Sequence, residues 1–196
     1  MRISVLALLA LVTALGGCAS LNTVDSEVST YSQWPAERKP TTFAFERLPS
    51  QQARAQEQAE LEGLARPALL AAGFTEVNDP AKADATVQVG ARTTRTDRGY
   101  YDDPFWWRGT FYYSRMGRPY WGPAFPMMMD SPRYDREVAV LIRDRRTSQP
   151  LYEARAASDG LSQGSGALLA AMFQAALKDF PQTGINPRRV SVPLGP

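Results

Sequence analysis

The sequence predicts an α/β (α+β) fold: a single two-layer domain with an antiparallel or mixed sheet of about four to five strands and two helices on one face. Three observations carry this. Short β-rich segments recur at residues 41–45, 84–93, 137–144 and 151–157. Two longer stretches place apolar residues at the 3,4 spacing of a helical stripe, Leu61, Leu64, Ala65, Ala68 and Leu69 in one and Leu169, Met172, Phe173, Ala176 and Phe180 in the other. A long aromatic, Pro- and Gly-rich insertion, residues 97–133, separates the second and third β segments.

The elements follow in order. Residues 1–17 read as a signal peptide and 18–40 as a flexible tether, because Ser, Thr, Asp and Glu are spread through the latter without a sustained period. The domain then runs over 41–192. "TTFAF", residues 41–45, is a strand between Pro40 and Pro49. The helix that follows from Gln51 should stop at Gly73, and Pro67 should kink it or start it anew. "DATVQVGART", residues 84–93, alternates Val87, Val89 and Ala91 with polar residues, as a strand with one wet face does. "EVAVLIRD", residues 137–144, is apolar from Val138 to Ile142, which predicts a central strand covered on both faces. The turn residues Ser148, Gln149 and Pro150 join it to "LYEARAA" in an antiparallel hairpin, and a last helix spans Ser165 to Phe180 before Pro181.

The one cysteine, Cys18, follows Arg2, an apolar run from Ile3 to Leu15, and Gly16-Gly17. That run is shorter than the roughly 20 residues needed to span a bilayer, and its layout is that of an export signal. Leu15-Gly16-Gly17-Cys18 resembles the lipobox of bacterial lipoproteins, in which cleavage leaves an acylated cysteine as residue one. The resemblance implies Cys18 as a lipid anchor and the membrane as its first partner. Ala19 and Ser20 lack the aspartate that resembles an inner-membrane retention signal, so the periplasmic side of the outer membrane is the expected location.

Composition narrows the chemistry. The formal net charge is +2, and losing Arg2 with the signal peptide leaves +1, so no electrostatic case for nucleic acid exists. The chain has no histidine, and with Cys18 acylated it has no soft metal ligand; neither a metal nor a cofactor is expected.

Across the domain, "TFAF", "LLAAGF", "KADATVQV", "VAVLIRDRRTSQPLYEARAAS" and a closing "FP" behind the lipobox together resemble the bacterial lipoproteins carrying the domain of unknown function 4136 (DUF4136). The resemblance covers most of residues 41–181. It implies an envelope lipoprotein with a compact α/β domain, and it implies no activity.

Two motifs suggest enzymes. "GLSQG", Gly160 to Gly164, matches a nucleophile elbow between a strand and a helix. Ser162 needs a base, and without histidine the remaining candidates are Lys39, Lys82 and Lys178, the last on the order of 20 Å away by helical rise. The structural reading is a tight turn built from Gly160, Gly164 and Gly166, with Ser162 or Ser165 capping the helix. Asp102-Asp103, beside Pro104 and Trp106, is the basis of an alternative reading as a carboxylate-dependent, glycan-processing hydrolase. Adjacent acids in a Pro-rich loop read more simply as a solvated turn.

Eleven of the twenty aromatic residues lie between Tyr100 and Phe125, among Arg108, Arg115 and Arg118. At roughly 150 to 250 Å² each they carry roughly 1,600 to 2,700 Å², more than soluble monomers expose in one patch. The rings either fold back over the sheet or meet something else: a protein partner or a second copy through residues 99–132, the membrane interface, or a glycan. The candidate binding surface is Trp106, Trp107, Arg108, Tyr112, Tyr120 and Trp121. The expectation is a non-enzymatic, lipid-anchored envelope module, binding or structural.

Overall fold

The computed structural model describes residues 22–96, 109–113, 119–123 and 132–195, the two short middle stretches as backbone. Among the described residues, nine strands and three α-helices follow in the order β1 (Thr23–Ser32), β2 (Thr42–Phe45), α1 (Pro49–Gln52), α2 (Ala55–Ala71), β3 (Thr75–Glu76), β4 (Ala85–Thr96), β5 (Gly109–Tyr113), β6 (Pro119–Pro123), β7 (Arg133–Asp144), β8 (Pro150–Gly160), α3 (Gly166–Leu177) and β9 (Arg188–Pro193). Seven strands form one sheet in the order β3-β2-β4-β7-β8-β1-β9, and β5 and β6 pair separately. The expected four to five strands are too few. β1 and β9 were hidden because their inward positions are not all apolar: β1 buries Ser26 and Thr30 as well as Val24 and Val28.

β1 also corrects the tether expected over residues 18–40. Thr23–Ser32 pairs antiparallel with β8 on one side and β9 on the other. Trp34, just beyond it, stands edge-on to Phe74 and Phe180 with ring centroids at 5.6 and 4.9 Å, and its Nε1 donates to the Arg38 carbonyl at 2.7 Å. Such edge-to-face contacts add to the burial of the rings.

Mixed pairing follows from connectivity. The crossover through α1 and α2 lets β2 run parallel to both β3 and β4, whereas the tight turn at Arg145–Gln149 makes β7 and β8 antiparallel. α2 is continuous through Pro67 and stops at Ala71, with Gly73 two residues beyond, where a φ of +94° suits glycine. Ser165 caps α3: its Oγ accepts from the Leu168 amide.

One sheet face holds the core. Val87, Val89, Val138, Val140, Ile142, Tyr152, Ala154, Ala156 and Val28 point from it against Ala65, Ala68 and Leu69 of α2 and Met172, Phe173 and Ala176 of α3. β7 was expected to be covered on both faces, and this is corrected: only Arg136, Val138, Val140 and Ile142 are buried, while Ala139 and Leu141 alternate onto the helix-free face, where they are half-buried. The apolar run reflects the central place of β7 in the sheet, between β4 and β8, and not a second layer.

Candidate functional site

The sheet forks at one end. β1 pairs with β8 only as far as Glu27 opposite Ala157, then continues to Thr23 alongside β9, while β8 continues to Gly160 alongside β7. The parting opens a cleft of about 540 Å³ lined by Asp25, Ser26, Glu27, Asp135, Arg136, Ser158, Asp159 and Arg189 among others. That volume falls within the usual range for small-molecule sites, roughly 300 to 1,000 Å³.

Arg136 is the unusual member. It is 5% exposed, and its Nε and Nη1 donate to the carbonyls of Ser158 and Ser162 at 3.4 Å each. No ion pair holds it among the described residues. The "GLSQG" turn explains its accommodation: a Cβ on Gly160 would lie 2.6 Å from Nη2 of Arg136, and one on Gly164, where φ is +91°, would lie 3.2 Å from its Cδ. The motif thus wraps an arginine, and its serine contributes a carbonyl to that contact. Ser26, 1% exposed, has a hydroxyl without a hydrogen-bond partner among the described residues.

The carboxylates of the cleft differ in their ties. Asp159 pairs with Arg133 at 2.6 Å, Asp25 accepts from the Ser191 hydroxyl at 2.5 Å, and Asp135 accepts from Thr96 Oγ1 at 3.1 Å. Arg188 is occupied by Asp179, to which its Nε donates at 2.8 Å. Sequence reasoning passed over Arg136 because it occupies an inward position of a strand whose other inward residues are apolar; the two glycines of "GLSQG" were the legible signal.

A second polar cluster serves as a fastener. Arg38 donates to Asp144 at 2.7 Å, and this bond, with the Thr147 amide, holds the Asp144 carboxyl down at about 2. The Thr42 hydroxyl lowers Asp84 in the same way. These contacts tie the chain after β1 to the ends of β2, β4 and β7.

Of the residues singled out in the sequence, Cys18, Trp106, Trp107, Arg108, Asp102 and Asp103 lie outside the described residues. The β5–β6 ladder makes Tyr112 and Tyr120 Cα partners and sets Trp121 opposite Phe111. The insertion leaves β4 at Thr96 and rejoins β7 at Arg133, and these two are themselves Cα partners. Among the described residues no group of three or more acidic or cysteine side chains is placed to hold a metal ion.

The model of the domain of unknown function DUF4136 matches residues 27–182. The chain belongs to the DUF4136 family. No curated protein matches it. Among solved structures, this DUF4136 chain is similar to a PDZ domain protein from Parabacteroides distasonis, 16% identical with a TM-score of 0.52 over 92% of this chain and 42% of the other. The chain therefore spans less than half the length of that protein, and the likeness is one of fold. PelC dodecamers from Paraburkholderia phytofirmans align at 10% and 8% identity, over 78% of this chain and 94% and 95% of theirs, with TM-scores of 0.35 and 0.36. Likeness at that level carries no argument about assembly.

Proposed function

We propose that this DUF4136 chain is a non-enzymatic module of the cell envelope, held by acylated Cys18 on the periplasmic side of the outer membrane, with the sheet end from which the aromatic insertion leaves facing the bilayer. The observation that carries the reading is directional. Thr23 of β1, Gly160 of β8, Arg133 of β7 and Thr96 of β4 lie at the same end of the sheet, as the pairings Glu27 to Ala157, Tyr134 to Gly160 and Thr96 to Arg133 require. Both ends of the insertion emerge there, on β7 and β4, the second and third strands along the sheet from β1.

The short lead from Cys18 supports the same reading. Asn22 is tied to Leu194, its carbonyl accepting from the Leu194 amide at 2.7 Å. Four peptide units between Cys18 and Asn22 span at most about 14 Å. A lipid on Cys18 would hold this end of the sheet close to the headgroups. Trp, Tyr and Arg, in which residues 100–121 are rich, suit that zone. A non-enzymatic role is supported by Ser162, which has no histidine anywhere in the chain to activate it.

Trp34 is the one tryptophan outside the insertion. In a Trp34→Phe background the acylated chain is reconstituted into vesicles with brominated acyl chains. Fluorescence from Trp106, Trp107 and Trp121 is expected to be quenched. Unquenched emission from protein that floats with the vesicles would refute the bilayer-facing orientation, and a Cys18→Ser chain that stays with membranes after a high-salt wash would refute the anchor.

A further inference from the structure

We infer that the cleft at the β1–β8 fork binds a small zwitterion, a singly charged anionic oxygen group joined to an ammonium, with the anion on Arg136 and Ser26 and the ammonium at the carboxylates of the rim. The first ground is the state of Arg136. A guanidinium keeps its charge in any protein, and burying a charge without a counter-ion is costly. Arg136 is buried, its only described partners are two carbonyls at 3.4 Å, and glycines stand at 160 and 164, where a side chain would displace it.

The second ground is independent of the first. Ser26 is buried with an unpaired hydroxyl in the same cleft. Register brings the two into one row. Arg136 and Ser158 are Cα partners, and two residues beyond the partners Val28 and Ala156 the same alternation sets Ser26 toward Ser158. The next row inward is Val138, Ala156 and Val28, all buried and apolar. The core face thus changes from apolar to a guanidinium flanked by hydroxyls where the strands part, and those are the donors an anionic oxygen group requires.

The rim sets the rest of the ligand. With Asp159 held by Arg133 and Arg188 by Asp179, Asp25, Glu27 and Asp135 outnumber Arg136 and Arg189 around the cleft, which disfavours a dianion and accepts an ammonium. Two sources offer this chemistry: the phosphoethanolamine head of a lipid, a phosphodiester joined to an amine, and a free amino acid or short peptide. The site does not depend on the lipid anchor, although an anchored domain would carry the cleft at its membrane-facing end.

The full chain, purified in a nonionic maltoside, is titrated calorimetrically with glycerophosphoethanolamine and, separately, with the dipeptide alanylalanine. At least one should bind. Saturation by glycerophosphoethanolamine alone assigns the lipid source, by the dipeptide alone the soluble source, and by both a site that reads the charge pair. Ser26→Ala should weaken binding at least about tenfold, since a hydrogen bond to a charged group is lost, while leaving the melting temperature unchanged or higher, because the hydroxyl it removes has no partner in the fold. Arg136→Lys should weaken it further by losing the planar fork. Failure of the wild-type chain to bind either probe overturns the inference, as does equal binding by Ser26→Ala and wild type.

Discussion

Replacing Val28 by Ala separates a strand from a tether. Val28 is 0% exposed and stands in β1 opposite Ala156 on one side and Arg188 on the other. Two methyl groups leave the core, worth about 1.6 kcal/mol by transfer at about 0.8 kcal/mol each. The cavity left behind raises the total to about 2 to 3 kcal/mol. For a chain of this size, about 2 to 4 °C per kcal/mol predicts a fall in melting temperature of about 4 to 12 °C. Tyr31 in the same strand is the internal control: it is 60% exposed on the helix-free face, so Tyr31→Ala should change stability by less than about 0.5 kcal/mol. Thermal melts followed by far-ultraviolet circular dichroism decide the matter. Equal melting temperatures for Val28→Ala and the parent would mean that residues 23–32 are not part of the sheet, and the reasoning about the fork would fall with them.

Asp144, held at about 2 by Arg38 and then by the Thr147 amide, has a folded pKa below its unfolded one, so its contribution is full above about pH 4 and fades as pH falls toward 2. After allowance for the solvent around this partly exposed pair, about 1 kcal/mol is expected, and Asp144→Asn should flatten acid unfolding between pH 4 and 2 in urea titrations. Burial pushes the Tyr152 phenol up to about 12, above its unfolded value of 10.0, so its contribution is full below pH 10 and is lost as pH rises toward 12. A spectrophotometric titration should show a phenol that ionises late, and Tyr152→Phe should remove that phase. Gly164→Ala, at φ +91°, should cost about 1 to 2 kcal/mol in chemical denaturation, and an unchanged midpoint would contradict the left-handed turn that seats Arg136. Arg47 donates to both oxygens of Glu62 at 2.7 and 2.6 Å, and Glu62 is 4% exposed. Arg47→Ala should therefore cost about 3 kcal/mol by stranding a buried carboxylate, and an Arg47→Ala, Glu62→Leu double variant should recover much of it.

What could be read from the sequence was what periodicity encodes. β4, the β7–β8 hairpin, α2 and α3 all carry apolar residues at a strand or helix period, and the Ser165 cap and the Gly73 stop have local signatures. β1 does not: Val24, Ser26, Val28 and Thr30 alternate apolar and hydroxyl residues along one face, and a period shared between valine and serine resembles a polar linker. Its place depends on partners far along the chain. Likewise β7 looked doubly covered, because Ala139 and Leu141 fill a central strand whose outer face is screened only by neighbouring side chains. The cleft was illegible for a related reason. Arg136 and Ser26 meet through sheet register, and register between β1, β8 and β7 cannot be read from any local stretch. The lipobox-like run and the aromatic run were plain to see, but that Thr23, Thr96 and Arg133 fall at one end of the sheet depends on the same long-range register.

The position of β1 between β8 and β9 also orders events in time. The Asn22 side-chain amide and the Leu194 carbonyl to which it donates are 172 residues apart. At about 5 to 20 residues per second of synthesis, the first strand waits on the order of 10 to 30 s for both of its neighbours. The β7–β8 hairpin and the helices can form early, but a sheet whose first strand needs its last closes late and pays a large loop-closure entropy at that step. Until then β1 carries unpaired amides and carbonyls along both edges, the segment most exposed to wrong pairing or to a holding chaperone. Substitutions within β1 should accordingly speed unfolding more than they slow folding, a kinetic signature distinct from any change in equilibrium stability.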